Sequence, residues 1–452
     1  MRFLSMKLFV RGMAALRNLG HSTLTQSQRD QMKINRFCLS MFAAVLFLLS
    51  SISSHAQVTA IKVGKLVDPE TGTTSINQTI IVEGGKIKAI GAGLIVPAGA
   101  TVIDLSSSTA LPGLFDAHAH MCQTSPPDNR DLFTVDIRTP STYRAILGVV
   151  NARAMLESGF TTIRDVGNNG NYADTSLRRA IEEGLVPGPT MINAGRIIAP
   201  FGGQYHLQPD RRELGQPEYL FADTRDEIRK AIRENIHFGA KVIKIVVDDQ
   251  LYIYSVDDIK YIVAEAAAAG LKVAAHCMTE NGARNAAEGG VASIEHGFRM
   301  SNETLQLAKQ NNVVLVGTDF TEQAAEYLGL PPPVAKSFHE VFIDRLKRAF
   351  KIGVTMAYGT DVFFAAEGQT RGTLAISYID SFVEAGVPAK DTLRIMTTNA
   401  ARLLGVDKQR GAIKVGQAAD IIATPENPLD NIQTLKQVSF VMKNGKVFKP
   451  AK

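Results

Sequence analysis

Eight short apolar runs, nearly all with a polar or reactive residue late in the run, set the main constraint on how this 452-residue chain can fold. They read LFDAHAH, FTTIRDV, PTMINAG, KVIKIVVD, KVAAHC, ASIEHG, VVLVGTD and TMAYGTD, and they fall between residues 114 and 361. Amphipathic stretches such as TYRAILGVVNARAMLESG and VDDIKYIVAEAAAAG separate them. Strand-length runs alternating with helical patterns predict a parallel α/β fold. Eight of them fit a closed TIM-type (β/α)8 barrel over residues 111–405. In such barrels the C-terminal strand ends carry the chemistry, and that is where the reactive side chains of these runs sit. A long connection between the third and fourth runs contains Phe201-Gly202-Gly203-Gln204-Tyr205-His206, the expected loop over the barrel mouth.

The flanks have a different texture. Residues 57–110 alternate with period two and turn often, with Gly84-Gly85 between two strands. The last forty residues behave alike, with Asn444-Gly445 as a hairpin turn in QVSFVMKNGKVFK. Residues 57–110 and 406–452 are therefore expected to form one small β-sandwich domain from both ends of the mature chain.

Ahead of these lies a leader. From Met32 the sequence runs MKINRFCLSMFAAVLFLLSSISSHAQV, with Lys33 and Arg36 before an apolar stretch and Ser54-His55-Ala56 as a small-x-small cleavage pattern. This is the anatomy of a signal peptide over 32–56, with a mature start near Gln57. Residues 1–31 read as an upstream extension, since Met32 opens a complete signal by itself. Export to the periplasm or beyond follows, with no stable membrane span after cleavage. The leader also explains the charge. The whole chain carries +5, but residues 1–56 hold seven basic side chains and one acid, leaving 42 basic and 43 acidic side chains, a net −1. Nothing then favours a nucleic-acid partner, and no basic aromatic strip or recognised motif supports one. Only Cys122 and Cys277 remain after cleavage, too few for a disulfide scaffold, and both are expected as buried thiols.

Six residues of these runs carry the chemistry. His118 and His120 are two apart, so a strand turns both imidazoles to one face, and two neutral imidazoles suit zinc or a similar divalent metal. Lys244 sits inside Val242-Ile243-Lys244-Ile245-Val246-Val247, where an unpaired ammonium is costly. Either it pairs with an acid such as Asp165, or CO2 converts it to a carbamate, an anionic ligand able to bridge two metals. His276 and His296 end two consecutive runs. Asp361 and Asp319 both end a Gly-Thr-Asp; strand order selects Asp361, which closes the eighth strand.

The ordered set HAH, strand-four lysine, His, His and GTD resembles the amidohydrolase superfamily, binuclear metal type. The end of the barrel region agrees: TNAARLLG at 398–405, then GAIKVGQAADI at 411–421. Within the superfamily the chain is most similar to the Xaa-Pro dipeptidase, or prolidase-like, group, often described as imidazolonepropionase-like. The resemblance implies two divalent metal ions, zinc expected. His118, His120 and Asp361 would hold the buried one and His276 and His296 the outer one, with a carboxylated Lys244 between them. It further implies attack by a metal-bridged hydroxide, with Asp361 as proton shuttle and catalytic residue. The implied activity is hydrolysis of a peptide or amide C–N bond in a small molecule or dipeptide. The alternatives are a hydrolase of a cyclic amide, lactone or amide-containing toxin, or a non-catalytic binding protein on the same fold. For the substrate's carboxylate the expected groups are His206, Tyr252, Tyr254 and Arg371. Barrels of this kind often form homo-oligomers.

Overall fold

A computed structural model describes residues 25–27, 58–167 and 169–451. The chain divides into two units, Met1–Ala56 and Gln57–Lys452. Of the first only Thr25, Gln26 and Ser27 are described, so the upstream extension and the signal peptide lie outside the described residues. No helix among the described residues is long and apolar enough to cross a membrane.

The second unit opens with β1 (Val58–Asp68), β2 (Thr73–Glu83), β3 (Lys86–Ala92) and β4 (Thr101–Pro112). The barrel strands follow: β5 (Leu114–Ala119), β6 (Phe160–Asp165), β7 (Thr190–Asn193), β8 (Ile197–Ala199), β9 (Tyr219–Phe221), β10 (Ile243–Val246), β11 (Val273–Cys277), β12 (Ser293–His296) and β13 (Val314–Val316). The chain returns through β14 (Ile421–Thr424), β15 (Phe440–Lys443) and β16 (Lys446–Lys449).

The end segments share one seven-stranded mixed sheet in the order β16-β15-β14-β4-β1-β2-β3. It folds back on itself, because Ile87 N donates to Gln417 O and Ala419 N to Gly85 O, joining its β3 edge to the approach to β14. The interior so enclosed holds Ile61, Val63, Ile80, Leu105, Ile421 and Phe440. Both hairpin turns obey their chemistry. Gly84 and Gly85 have φ of 58° and 78°, and Asn444 and Gly445 have 48° and 76°, the paired positive values a tight two-residue hairpin needs.

The barrel is closed around all eight runs. β5, β6 and β7 pair in parallel, as do β8, β10, β11, β12 and β13. The third strand is broken: β7 ends at Asn193, and β8 resumes at Ile197 and also takes on the short β9. Lys241 N donates to Asn193 O, joining the third strand to the fourth. The eighth run forms no full strand; at 355–358 it is held by a single parallel bridge between Met356 and Leu315 and by flanking backbone hydrogen bonds. Leu315 N donates to Thr355 O at 2.9 Å, and Ala117 N to Tyr358 O at 2.7 Å, which brings the last run back to the first. Gly113 permits the passage from sheet to barrel, since a Cβ there would lie 2.1 Å from Thr161 Oγ1.

Alternation along each strand sorts the core. Ile243 and Ile245 face outward into the main apolar cluster with Ile259, Ile262 and Ala286 of the surrounding helices, which leaves Lys244 facing the barrel axis. The axis itself is polar. Arg164 of β6 crosses it, donating to Ala117 O (2.5 Å), Ser293 Oγ (2.8 Å) and Glu295 Oε1 (2.7 Å). Cys122 and Cys277 are free and buried.

Candidate metal centre

His118, His120, Lys244, His276, His296 and Asp361 all line one cavity of about 550 Å³ at the C-terminal ends of the barrel strands. All but Asp361 are buried. Ring centroids of His118 and His120 are 5.2 Å apart, those of His118 and His296 4.9 Å, and those of His276 and His296 4.6 Å.

The imidazoles are oriented from behind. His118 Nδ1 lies 2.7 Å from Glu295 Oε2, an acceptor, so Nδ1 carries the proton and Nε2 is bare. His120 Nδ1 likewise donates to Gly167 O at 2.8 Å, and His296 Nδ1 lies 2.9 Å from Thr318 Oγ1. Asp361 Oδ1 then stands 3.6 Å from His118 Nε2 and 2.9 Å from His120 Nε2. Burial, reinforced by the charge of Lys244, pushes His118 down to about 3, so it stays neutral. A bare imidazole nitrogen therefore faces a carboxylate oxygen with no proton between them. Two acceptors held together in this way call for a cation, and His118, His296 and Asp361 can each place a ligand atom within 4.8 Å of the others. His276 adds a buried Nε2 with no aligned hydrogen bond, although Asp249 Oδ2 lies 2.7 Å from it. The donor set fits divalent metal.

Lys244 Nζ makes no hydrogen bond or ion pair among the described residues. The expected alternative partner, Asp165, is taken up by Met121 N (2.8 Å) and Asn169 Nδ2 (2.8 Å). Burial lowers the lysine to about 8, against the pull of Glu295 and Asp361. Asp361 stays below the usual carboxylate range; burial opposes this, and His118 and His120 outweigh it. Asp319 is elsewhere, buried on Arg345 at 2.6 Å.

The strand ends are strained where they turn into the site. His296, Thr318 and Asp361 have φ of 67°, 51° and 55°, and Asp249 has 126°. Non-glycine residues in this region cost about 1–3 kcal/mol each and persist only where neighbours fix them. Around Asp361 the fixing groups are visible: Asp361 N and Thr360 N donate to His118 O, and Thr360 Oγ1 donates to Asp116 Oδ2 at 2.6 Å.

A sequence profile of the Amidohydrolase family matches residues 109–448. The chain belongs to the amidohydrolase family. An ochratoxinase of Aspergillus niger is 28% identical over 444 residues, covering 89% of each chain. A solved Xaa-Pro dipeptidase with methionine bound in its active site is 30% identical with a TM-score of 0.76, covering 87% of this chain and 100% of the other. A prolidase complexed with N-methylphosphonate-L-proline is 26% identical with a TM-score of 0.77, over 87% and 100%. The amidohydrolase fold, a metal-site barrel with a β-sandwich from both chain ends, is thus common to this chain and its relatives, and the enzyme class is a hydrolase of C–N bonds.

The proposed substrate contacts fare unevenly in this amidohydrolase. His206 lines the cavity, as do Gln204 and Tyr205 before it. Tyr252, Tyr254 and Arg371 do not. Tyr254 is buried and donates to Ala222 O at 2.6 Å; Tyr252 lies outside, its hydroxyl 3.3 Å from Phe201 O. Arg371 is buried among the carbonyls of His120, Val362 and Gln123, where it braces the strand ends. The expectation for Arg371 is corrected, since a guanidinium spent on backbone carbonyls cannot fork onto a ligand carboxylate, and the two tyrosines stand outside the cavity lining. Sequence reasoning missed Glu295, Gly167, Thr318 and Asp249, the groups that hold the imidazoles. Glu295 had a signal, an acid beside His296 in a run too apolar to leave it exposed.

Proposed function

We propose that this chain is exported and that, from a start near Gln57, it acts as a binuclear amidohydrolase cleaving the peptide bond of Xaa-Pro-type dipeptides. The observation that carries the metal reading is the meeting of the bare Nε2 of His118 with the Asp361 carboxylate, beside the Nε2 of His120. His118, His120 and Asp361 would hold one divalent cation, zinc expected, and His276 and His296 the other. Lys244, unpaired and lowered to about 8, has the neutral amine fraction that CO2 capture requires, and its carbamate would serve both ions. When bound, such cations polarise the scissile carbonyl and lower the pKa of a water. The chain's own groups do the rest. Asp361 Oδ2, on the His296 side at 3.8 Å from its Nδ1, takes the proton of the attacking water and returns it to the departing nitrogen. That return is needed because an amide anion is a very poor leaving group.

A second reading is favoured by the cavity walls. Phe133, Phe298, Phe320, Phe338 and Phe363 line it, and no arginine does among the described residues. Apolar walls without a guanidinium suit a less polar amide or cyclic substrate, and the similarity to an ochratoxinase points the same way. A panel on the secreted or periplasmic protein separates the two: Xaa-Pro dipeptides against N-acyl aromatic amides, cyclic amides and lactones. Release of free proline at the highest kcat/KM supports the first reading. Turnover confined to the other substrates rejects it in favour of the second.

A further inference from the structure

Resting on the dipeptidase reading, we propose that Asp249 is the subsite for the free α-ammonium of the substrate's N-terminal residue. Asp249 follows β10, the fourth barrel strand, and lines the cavity beside His276. Its side chain is 26% exposed, so the carboxylate is open to the cavity. Its partners are His276 Nε2 at 2.7 Å and Gln204 Nε2 at 2.9 Å. Its neighbour Asp248 is already spent on Met278 N and Thr279 N. The cavity's third acid besides Asp361, Asp131, caps the helix Leu132–Arg138 through Thr134 N. Among the described residues lining the cavity, Asp249 is thus the one carboxylate outside the Asp361 cluster that is not committed to backbone.

Its position fits the direction of the reaction. Asp361 follows the eighth strand and delivers the proton to the leaving nitrogen, so the leaving residue lies on that side. In a closed eight-stranded barrel the fourth strand stands opposite the eighth. The acyl half of the substrate therefore extends toward Asp249. In a dipeptide the α-nitrogen is two bonds from the attacked carbonyl carbon, and a cation there meets a carboxylate held at a strained φ of 126°. An N-acylated substrate has no charge to offer at that point.

The test compares Ala-Pro with N-acetyl-Ala-Pro on the metal-loaded wild type and Asp249→Asn. A lost charge-assisted contact corresponds to a rise in KM on the order of tenfold to a hundredfold. The wild-type preference for Ala-Pro over N-acetyl-Ala-Pro, read as the ratio of their KM values, is expected to fall by that factor whatever common change the loss of the His276 contact brings, with the metal content equal to wild type. A wild type that cleaves N-acetyl-Ala-Pro as well as Ala-Pro overturns the amine subsite while leaving the amidohydrolase reading intact. Loss of metal from Asp249→Asn also overturns it, since Asp249 would then serve the cation. A wild type that cleaves neither substrate rejects the dipeptidase reading and the subsite with it.

Discussion

Lys244 shows what single residues reveal. A lysine in an unbroken apolar strand has few reasons to be there, and its Nζ is left unpaired facing the cavity. Replacing it with alanine keeps the strand and removes the proposed ligand. Lys244→Ala is expected to lower turnover by on the order of a hundredfold or more and to lose much of its metal, with the circular dichroism of the wild type. Normal turnover with full metal would remove the carbamate from the account. The histidines were legible for a similar reason, each at the end of an apolar run. Their orienting groups were not. Gly167 acts through its backbone carbonyl, which no side-chain pattern announces. Thr318 reaches His296 from the next strand, a contact set by barrel register. The positive φ values of His296 and Asp361 are likewise invisible in sequence, because only tertiary contacts hold them.

At the scale of elements, period and turn chemistry exposed most of the fold. Gly84-Gly85 and Asn444-Gly445 mark hairpins because left-handed backbone is cheapest there. The third strand was harder. Its break at residues 194–196 and the three-residue β9 are too short to leave a periodic signal. The loop over the mouth depends on a buried latch: Tyr205 donates to Asp136, which also takes Gln123 Nε2 at 3.0 Å. Burial, with repulsion from Glu218, pushes Asp136 up to about 7. A carboxyl raised in the folded state stabilises fully below its unfolded value of 3.8, and that contribution is lost as pH rises through about 7. Asparagine cannot ionise. The Tm of Asp136→Asn relative to wild type is therefore expected to rise between pH 5 and pH 8. A Tm difference that stays flat across this range would contradict the assignment.

For the whole molecule, the two chain ends close one sheet, and the barrel is strung between them. β14 pairs with β4 and thereby places the last residues beside the segment that leads into the first barrel strand. This arrangement could be read from texture alone, since both flanks alternate with period two and the middle does not. The basic charge of the full chain lies in residues 1–56, and the nearly neutral remainder fits a small-molecule enzyme. The barrel is proposed to work through two cations held by six side chains. The most direct test of this is to strip the purified enzyme with a chelator and add zinc back in measured equivalents while following Xaa-Pro hydrolysis. The stripped enzyme is expected to be inactive, with activity climbing to a plateau at two equivalents per chain. Full activity without metal, or a plateau at one equivalent, would contradict the two-cation proposal.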